Sequence, residues 1–385
     1  MRKDPKGLKR RDFFKTGAMA AVAAGMGLKA GAQAPSNDGS VPGAKVGLGT
    51  KDKILNEHPA MRYRELPGTG LYFSAISLGG INLNRRLAFH CIDHGVNLVH
   101  MSRSYNGGRA IEELAAVLKT HRDRVYIALK DSFRDIDEPL EKMGVDYVDF
   151  IMFNRHSEDD VRDPRLRERF EKWREQGKVR FAGLTSHRDV KNCMRAGIES
   201  GFMKLLMPVL NQPGFEDMQE EMRDARAKGI GVMAMKTMKG IKDRQMELAF
   251  LKKVLRDPAV TTVNKGYGNF ERFDDYLKAT GETLSAREDR RLYRYAQANR
   301  SDNCMMCGAC SGDCPNDIDI PCALRCKDYY LDQLGDRNLA EETYRSIPKP
   351  RRFELACEDC GKCEEACPNG IAVRRKLSEA AMVLG

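Results

Sequence analysis

Eight of the chain's twelve cysteines fall in two runs of one pattern. CMMCGACSGDCP carries Cys304, Cys307, Cys310 and Cys314, and CEDCGKCEEACP carries Cys357, Cys360, Cys363 and Cys367. Three thiolates two residues apart can wrap a cube of iron and sulfide corner by corner, while the proline after the fourth (Pro315, Pro368) turns that thiolate away. Zinc also takes Cys-x2-Cys pairs, but as four thiolates on one ion, not two such runs with prolines. A second stretch, GVNLVHMSRSYNGG (Gly95 to Gly108), ends an apolar run in His100 and sets Tyr105 before paired glycines. A histidine and a phenol at the end of a strand-like segment are candidates for proton transfer.

The two cysteine runs resemble the C-x2-C-x2-C-x3-C-P motif of bacterial ferredoxins, in which the fourth cysteine serves the partner cluster. That resemblance implies two [4Fe–4S] clusters, one on Cys304, Cys307, Cys310 and Cys367, the other on Cys357, Cys360, Cys363 and Cys314. Cys91 and Cys193 lie in helical patterns and read as small buried hydrophobes. Cys322 and Cys326 share one helix face at i and i+4. They are able to ligate metal, but eight ligands are complete without them. Between the runs, CALRCKDYYLDQL and NLAEETYRSI read as a helical insert.

Positioning these groups falls to the elements upstream. From about residue 71, eight strand-like segments (ISLGGI, VNLVH, VYIALK, YVDFIMF, VRFAGLTS, LLMPVL, IGVMAMK and TTVNKG) alternate with helix-length stretches. Many of them are apolar on both faces, which calls for a parallel sheet covered on both sides. Eight repeats favour an α/β fold of the (β/α)8 TIM-barrel kind over an open sheet, with a smaller, mainly helical, ferredoxin-type iron–sulfur domain after it. In such a barrel, chemistry gathers at the C-terminal strand ends. His100, Tyr105, Lys130, Asn154, Ser186, Gln212 and Lys236 all fall there.

Several stretches resemble the aldo/keto reductases: MRYRELPGTGLYFSAISLGG, GVNLVHMSRSYNGG, VYIALK, DYVDFIMFN, GKVRFAGLTSH and AKGIGVMAMKTMKG, spanning roughly residues 61 to 280. The family's catalytic tyrosine and lysine fall on Tyr105 and Lys130, whereas its aspartate position is His100 and its histidine position Asn154. The resemblance implies that the lysine ammonium lowers the phenol pKa so that tyrosine protonates a carbonyl oxygen during hydride transfer. It also implies cofactor contacts at Ser186, Gln212, Lys236, Gly266 and Asn269 for NADP(H). Here the loop reads NKGYGN, with Gly268 where the family has an Arg or Ser, and Tyr276 where it has an asparagine. Thr185 and Ser186 stand where the family holds the nicotinamide carboxamide with Ser-Asn. His156 is a further candidate for the missing histidine.

The formal charge of +10 does not indicate a nucleic-acid partner, because +6 of it lies within residues 1–34. That segment runs from a basic KRRDFFK through the apolar GAMAAVAAGMGL to AQA, the layout of a signal peptide, and Arg10–Arg11 resembles a twin-arginine signal read by the export machinery of already folded proteins. The apolar run is too short to span a bilayer, so the mature chain is expected to carry no integral membrane segment. The expected organisation is a signal peptide at 1–34, a linker at 35–60, the barrel at 61–280 and the iron–sulfur domain at 281–385. The expected location is the periplasm, or another compartment reached by the same route.

Three functions fit this reading. In the first, an exported oxidoreductase relays electrons between two clusters and a small-molecule substrate or cofactor in the barrel mouth, served by a redox partner protein or quinone-linked donor. In the second, the protein is an NAD(P)H-dependent carbonyl reductase with a variant tetrad. In the third, the barrel is catalytically silent and the protein is an electron carrier or binding partner. Clusters move single electrons and add little to a direct hydride transfer, which favours the first; the Tyr105/Lys130 pair sets it ahead of the third.

Overall fold

The computed structural model describes residues 54–81, 83–131 and 134–385. The expected signal peptide and most of the expected linker lie outside the described residues. Residues 54–60, assigned to the linker by composition, are instead tied down. Asn56 Nδ2 donates to the carbonyls of Ile92 (2.7 Å) and Val96 (3.0 Å), and Arg124 Nε donates to Asn56 Oδ1 at 2.8 Å. Ile92 lies in the last turn of the helix at Arg85–Asp93, whose final carbonyls need donors, and Asn56 supplies one.

Eight parallel strands close a barrel in chain order: β3 (Ile76–Gly79), β4 (Leu98–Met101), β5 (Tyr126–Lys130), β6 (Val148–Asn154), β7 (Val179–Thr185), β8 (Met203–Met207), β9 (Gly231–Met235) and β10 (Val260–Lys265), which pairs back onto β3. These segments are almost wholly buried, as strands covered inside by the barrel core and outside by helices must be. Helix starts follow local capping chemistry: Asn84, Asp243 and Asn269 each accept from backbone N–H groups one turn on, and Asp163 precedes Pro164 at a helix start.

An antiparallel hairpin, β1 (Tyr63–Leu66) and β2 (Leu71–Ser74), closes the N-terminal end of the barrel. Phe73 meets Phe150 edge-on at 5.6 Å between centroids. At this end Asp149, 1% exposed, accepts from Ile127 N (2.9 Å), Arg180 Nη1 (2.8 Å) and Arg122 Nη2 (3.4 Å). The acid of the DYVDF run is therefore a structural anchor.

After the barrel, a helix at Ala286–Ala298 starts with a capping box of Ser285 and Glu288. The two cysteine runs follow, separated by helices at Ile320–Leu324, Arg325–Leu331 and Arg337–Arg345, and Val373–Leu384 ends the chain. Arg325–Leu331 is a π-helix where the sequence reads as an ordinary helix. Its wider turn brings residues five apart together and sets the Arg325 guanidinium 5.6 Å from the Tyr330 ring centroid.

This C-terminal region grips the loop after β9. Gly240 N donates to Gln333 Oε1 (3.1 Å), Gln333 Nε2 donates to Met238 O (2.7 Å), and Tyr295 Oη donates to Gly240 O (3.1 Å). Gly240 has φ of +83°, and a Cβ there would lie 1.6 Å from Asn303 Oδ1. Only glycine fits. Among the described residues, no helix is long and apolar enough to cross a membrane.

Candidate active site and cysteine cavities

A cavity of about 300 Å³ opens at the C-terminal end of the barrel. Strand ends supply its floor with His100, Lys130, His187, Met235, Lys236 and Lys265, and Tyr329, Tyr330, Gln333 and Leu334 of the C-terminal region roof it. Tyr105 enters from a turn in which Asn106, Gly107 and Gly108 are all left-handed (φ 52°, 61° and 90°). The two glycines take this backbone without strain, and asparagine is the residue that tolerates it next best.

Burial dominates the electrostatics. The Tyr105 phenol is pushed well above its ordinary range, first by burial and then by Tyr330 and Tyr329, with Arg325 the cation that opposes the rise. This corrects the expectation that Lys130 lowers the phenol: the desolvation cost of a phenolate outweighs the nearby positive charge. Lys130 is itself pulled down to about 8 by burial and then by Arg325, with Asp131 opposing. Asp131 is committed elsewhere, bonded to Arg155 Nη2 at 3.1 Å and to Arg169. His100, 3% exposed, has its pKa lowered to about 3 by burial and then by Lys130. It is neutral and cannot replace an aspartate as the counter-charge of Lys130. Its ring centre lies 6.0 Å from that of Tyr105, and its Nε2 has no hydrogen-bond partner.

Of the residues singled out from sequence, His100, Tyr105, Lys130, Lys236 and Gly266 line this cavity; Asn154, Ser186, Gln212 and Asn269 do not. Asn154 Nδ2 donates to His156 Nε2 at 3.2 Å. Ser186 Oγ donates to Arg188 O (2.7 Å), Gln212 Nε2 donates to Leu292 O (2.9 Å), and Asn269 caps the helix at Phe270–Thr280. Ser186, Gln212 and Asn269 found backbone partners, that of Gln212 on the C-terminal helix that spacing alone does not bring to the barrel, while Asn154 pairs with a side chain. His187, which sequence reasoning passed over, lines the cavity, is 8% exposed, and has an unpaired Nδ1. Its ring lies 6.1 Å from that of His156. The signal was its place directly after β7 in VRFAGLTSH.

At the far end of the cavity Arg272 donates to both Glu247 carboxylate oxygens (2.6 and 2.7 Å), and Tyr276 Oη donates to Glu247 at 3.3 Å. A phosphate approaching Arg272 meets a cation that is already neutralised.

The cysteines converge in two crossed sets. Cys304, Cys307, Cys310 and Cys367 line one small cavity; Cys314, Cys357, Cys360 and Cys363 line another. None is in a disulfide. Among the described residues no group of three or more His, Cys, Asp or Glu side chains is close enough to hold a single metal ion. Four thiols facing an enclosed, largely apolar space fit a larger inorganic cluster with a thiolate at each corner. The first set abuts the barrel: Asn211 Nδ2 (2.9 Å) and Lys239 Nζ (3.3 Å) both donate to Cys304 O. Cys360 of the second set is exposed. Cys322 and Cys326 line neither cavity; they hydrogen-bond to each other, which holds Cys322 down to about 7, and Arg325 Nη2 lies 3.3 Å from Cys322 Sγ.

The closed eight-stranded parallel barrel and its roofed mouth define an α/β barrel of the enzyme kind. Residues 84–248 match the model of the aldo/keto reductase family. Solved structures agree on the fold. The holo form of an aldo-keto reductase from Bacillus halodurans aligns at 18% identity and TM-score 0.53, over 61% of this chain and 96% of that one. An aldo-keto reductase from Klebsiella pneumoniae in complex with NADPH aligns at 19% and 0.52, over 61% and 95%. A search among curated proteins found no match. Residues 84–248 thus resemble the aldo/keto reductase family, and the barrel has the fold of its solved members.

Proposed function

We propose that the protein is an exported iron–sulfur oxidoreductase whose C-terminal cysteines hold two [4Fe–4S] clusters that exchange electrons with a small molecule in the barrel mouth. The observation that carries this reading is the crossed convergence of the eight cysteines, with the Cys304 set bonded through Lys239 and Asn211 to the barrel mouth. Bound there, the clusters would supply one-electron transfer. The exposed Cys360 marks the side on which an external redox protein or quinone-linked donor would meet the chain.

The chain's own residues supply the rest. Tyr329 and Tyr330 exclude water, Tyr105 holds a proton at Oη at all physiological pH, and Lys130 carries a charge below pH of about 8. Anaerobic protein is expected to contain about eight irons with matching sulfide. Cys310→Ser should lose roughly half; zinc without labile sulfide would overturn the reading. Replacing Arg10 and Arg11 with lysine should leave a folded precursor in the cytoplasm, and an unchanged periplasmic yield would refute the export route.

A second reading, an NAD(P)H-dependent carbonyl reductase, is favoured by the continuity of the cavity from Tyr105 to Gly266, Gly268 and Arg272. The residues expected to hold the nicotinamide, Ser186 and Gln212, lie outside the cavity and are bonded elsewhere, and Arg272 is held by Glu247. As placed, they do not fit that cofactor. Saturable NADPH binding to purified protein would promote this reading.

A further inference from the structure

The roofed mouth collects positive charge that the chain does not neutralise. Lys130, Lys236, Lys239, Lys265 and Arg272 line it, and no aspartate or glutamate does among the described residues. Arg272 is paired with Glu247, and Lys239 is bonded to Cys304 O. Among the described residues Lys130, Lys236 and Lys265 have neither ion pair nor hydrogen bond; Lys236 Nζ sits against aromatic faces, 3.7 Å from the Tyr329 ring centroid, and Lys265 Nζ lies 5.4 Å from that of Tyr276. Burial and the field of Arg325 depress the pKa of Lys130 and Lys236.

Arg325 adds a permanent charge behind Tyr330. It has no carboxylate partner, its Nε is buried without a bond, and its guanidinium donates only to Cys322 Sγ. The nearest acids are committed: Asp131 to Arg155 and Arg169, and Asp319 to Arg188 and to the N–H of Cys322.

Cys322, held down to about 7, answers Arg325 in part; gathering the remaining like charges in a dry site is unfavourable unless a ligand supplies counter-ions. Two further features point to one. Lys236 holds a left-handed backbone, φ +53°, a strain found disproportionately at working sites. His100 and His187, each more than nine-tenths buried, present unpaired ring nitrogens while lining the cavity.

We propose that the barrel mouth binds a small substrate bearing two or more negative charges, as carboxylate or phosphate groups held between Lys130 and Lys236 in the field of Arg325, with His100 and His187 bonding its remaining polar atoms. A cavity of about 300 Å³ has room for such an acid. This rests on the reading of the mouth as the substrate site, but not on the clusters.

Calorimetric titration of the full, anaerobically purified chain with succinate, inorganic phosphate and uncharged glycerol tests it. Saturable binding is expected for succinate, for phosphate or for both, which separates the two chemistries, and none for glycerol. Affinity should fall with added salt. Lys236→Met and Arg325→Met should each weaken binding at least tenfold, with the surface variant Lys119→Met unchanged. Without ligand, Lys236→Met should melt higher than the parent, because it removes an unanswered charge; a merely structural lysine would melt lower. Absence of saturable binding of either anion to the parent at 10 mM (roughly the Kd of a single weak contact), or undiminished binding in Lys236→Met, would overturn the proposal. Anion binding in a protein that lacks iron would break the electron-relay reading and leave this one standing; iron without anion binding would do the reverse.

Discussion

The two ends of the barrel treat charge in opposite ways. At the N-terminal end the buried acid is answered: Asp149 has Arg180, Arg122 and a backbone N–H, and the neutral Asn97 donates to Leu55 O and Tyr72 O while accepting from Ser74 N, with Arg64 Nη1 and Arg122 Nε the atoms of charged groups left without a bond. At the mouth Lys130 and Lys236 go unpaired, and His100, His187 and Arg325 keep unsatisfied nitrogens. The same strands run through both ends, so the contrast does not come from the elements. One end is finished as structure; the other is left to be completed by something that binds.

If that contrast is functional, removing one hydroxyl at the mouth should matter more than any change at the base. Tyr105→Phe is expected to lower turnover by ~10²–10⁴-fold, the usual worth of a positioned proton donor, with the cysteine domain's iron content unchanged. Turnover equal to the parent would move the chemistry away from Tyr105.

The base should answer in stability. Arg180→Leu strands the buried Asp149 carboxylate with a 3.4 Å contact to Arg122 and a backbone bond, at a cost of about 3–5 kcal/mol. Denaturant midpoints should drop, while activity per folded molecule stays at the parent's level. A loss of activity without a loss of stability would erase the distinction between the two ends.

Acid should find the mouth first. His100 and His156 have folded pKa values near 3, and His187 lies well below its ordinary 6.5, all because burial disfavours the cation. Unfolded chains take up these protons from about pH 6.5 downward and the folded chain does not, so stability is lost on acidification between 6.5 and 3. Each histidine contributes at most about 1.4 kcal/mol per pH unit. His100→Asn should flatten the fall measured by urea unfolding between pH 6.5 and 5; an unchanged slope would show that His100 is protonated in the fold.

Smallest is the clamp on the roof. Gly240→Ala forces a side chain into a left-handed backbone and against Asn303, costing about 1–2 kcal/mol at the contact between barrel and roof. Proteolysis of the region after residue 281 should speed up, with little change in the global unfolding midpoint. Equal cleavage rates would mean that this loop does not hold the roof.

Much of the architecture was legible because it rests on local rules. ISLGGI through TTVNKG announce eight doubly buried strands, and all eight close the barrel. The site was legible in part. Tyr105, Lys130 and His100 stand at strand ends and reach the cavity, while Ser186 and Gln212 turn to backbone carbonyls that lie near them only in the folded chain. His187 went unnoticed because one histidine at a strand end looks like any other until its exposure and its partners are known.

By itself, the sequence determined the order of strands and helices, the capping of those helices and the spacing within each cysteine run, since each depends on residues a few positions apart; that Cys367 joins Cys304, Cys307 and Cys310 was implied by resemblance to the ferredoxin motif. Only the tertiary structure decided what the mouth of the barrel is. Tyr329, Tyr330 and Arg325 arrive there from about two hundred residues beyond Tyr105, and by shutting out water they raise the phenol, depress Lys130 and keep His100 and His187 neutral. A pKa is set by what surrounds a group in space, and in this chain the surroundings of the reactive groups come largely from another part of the sequence.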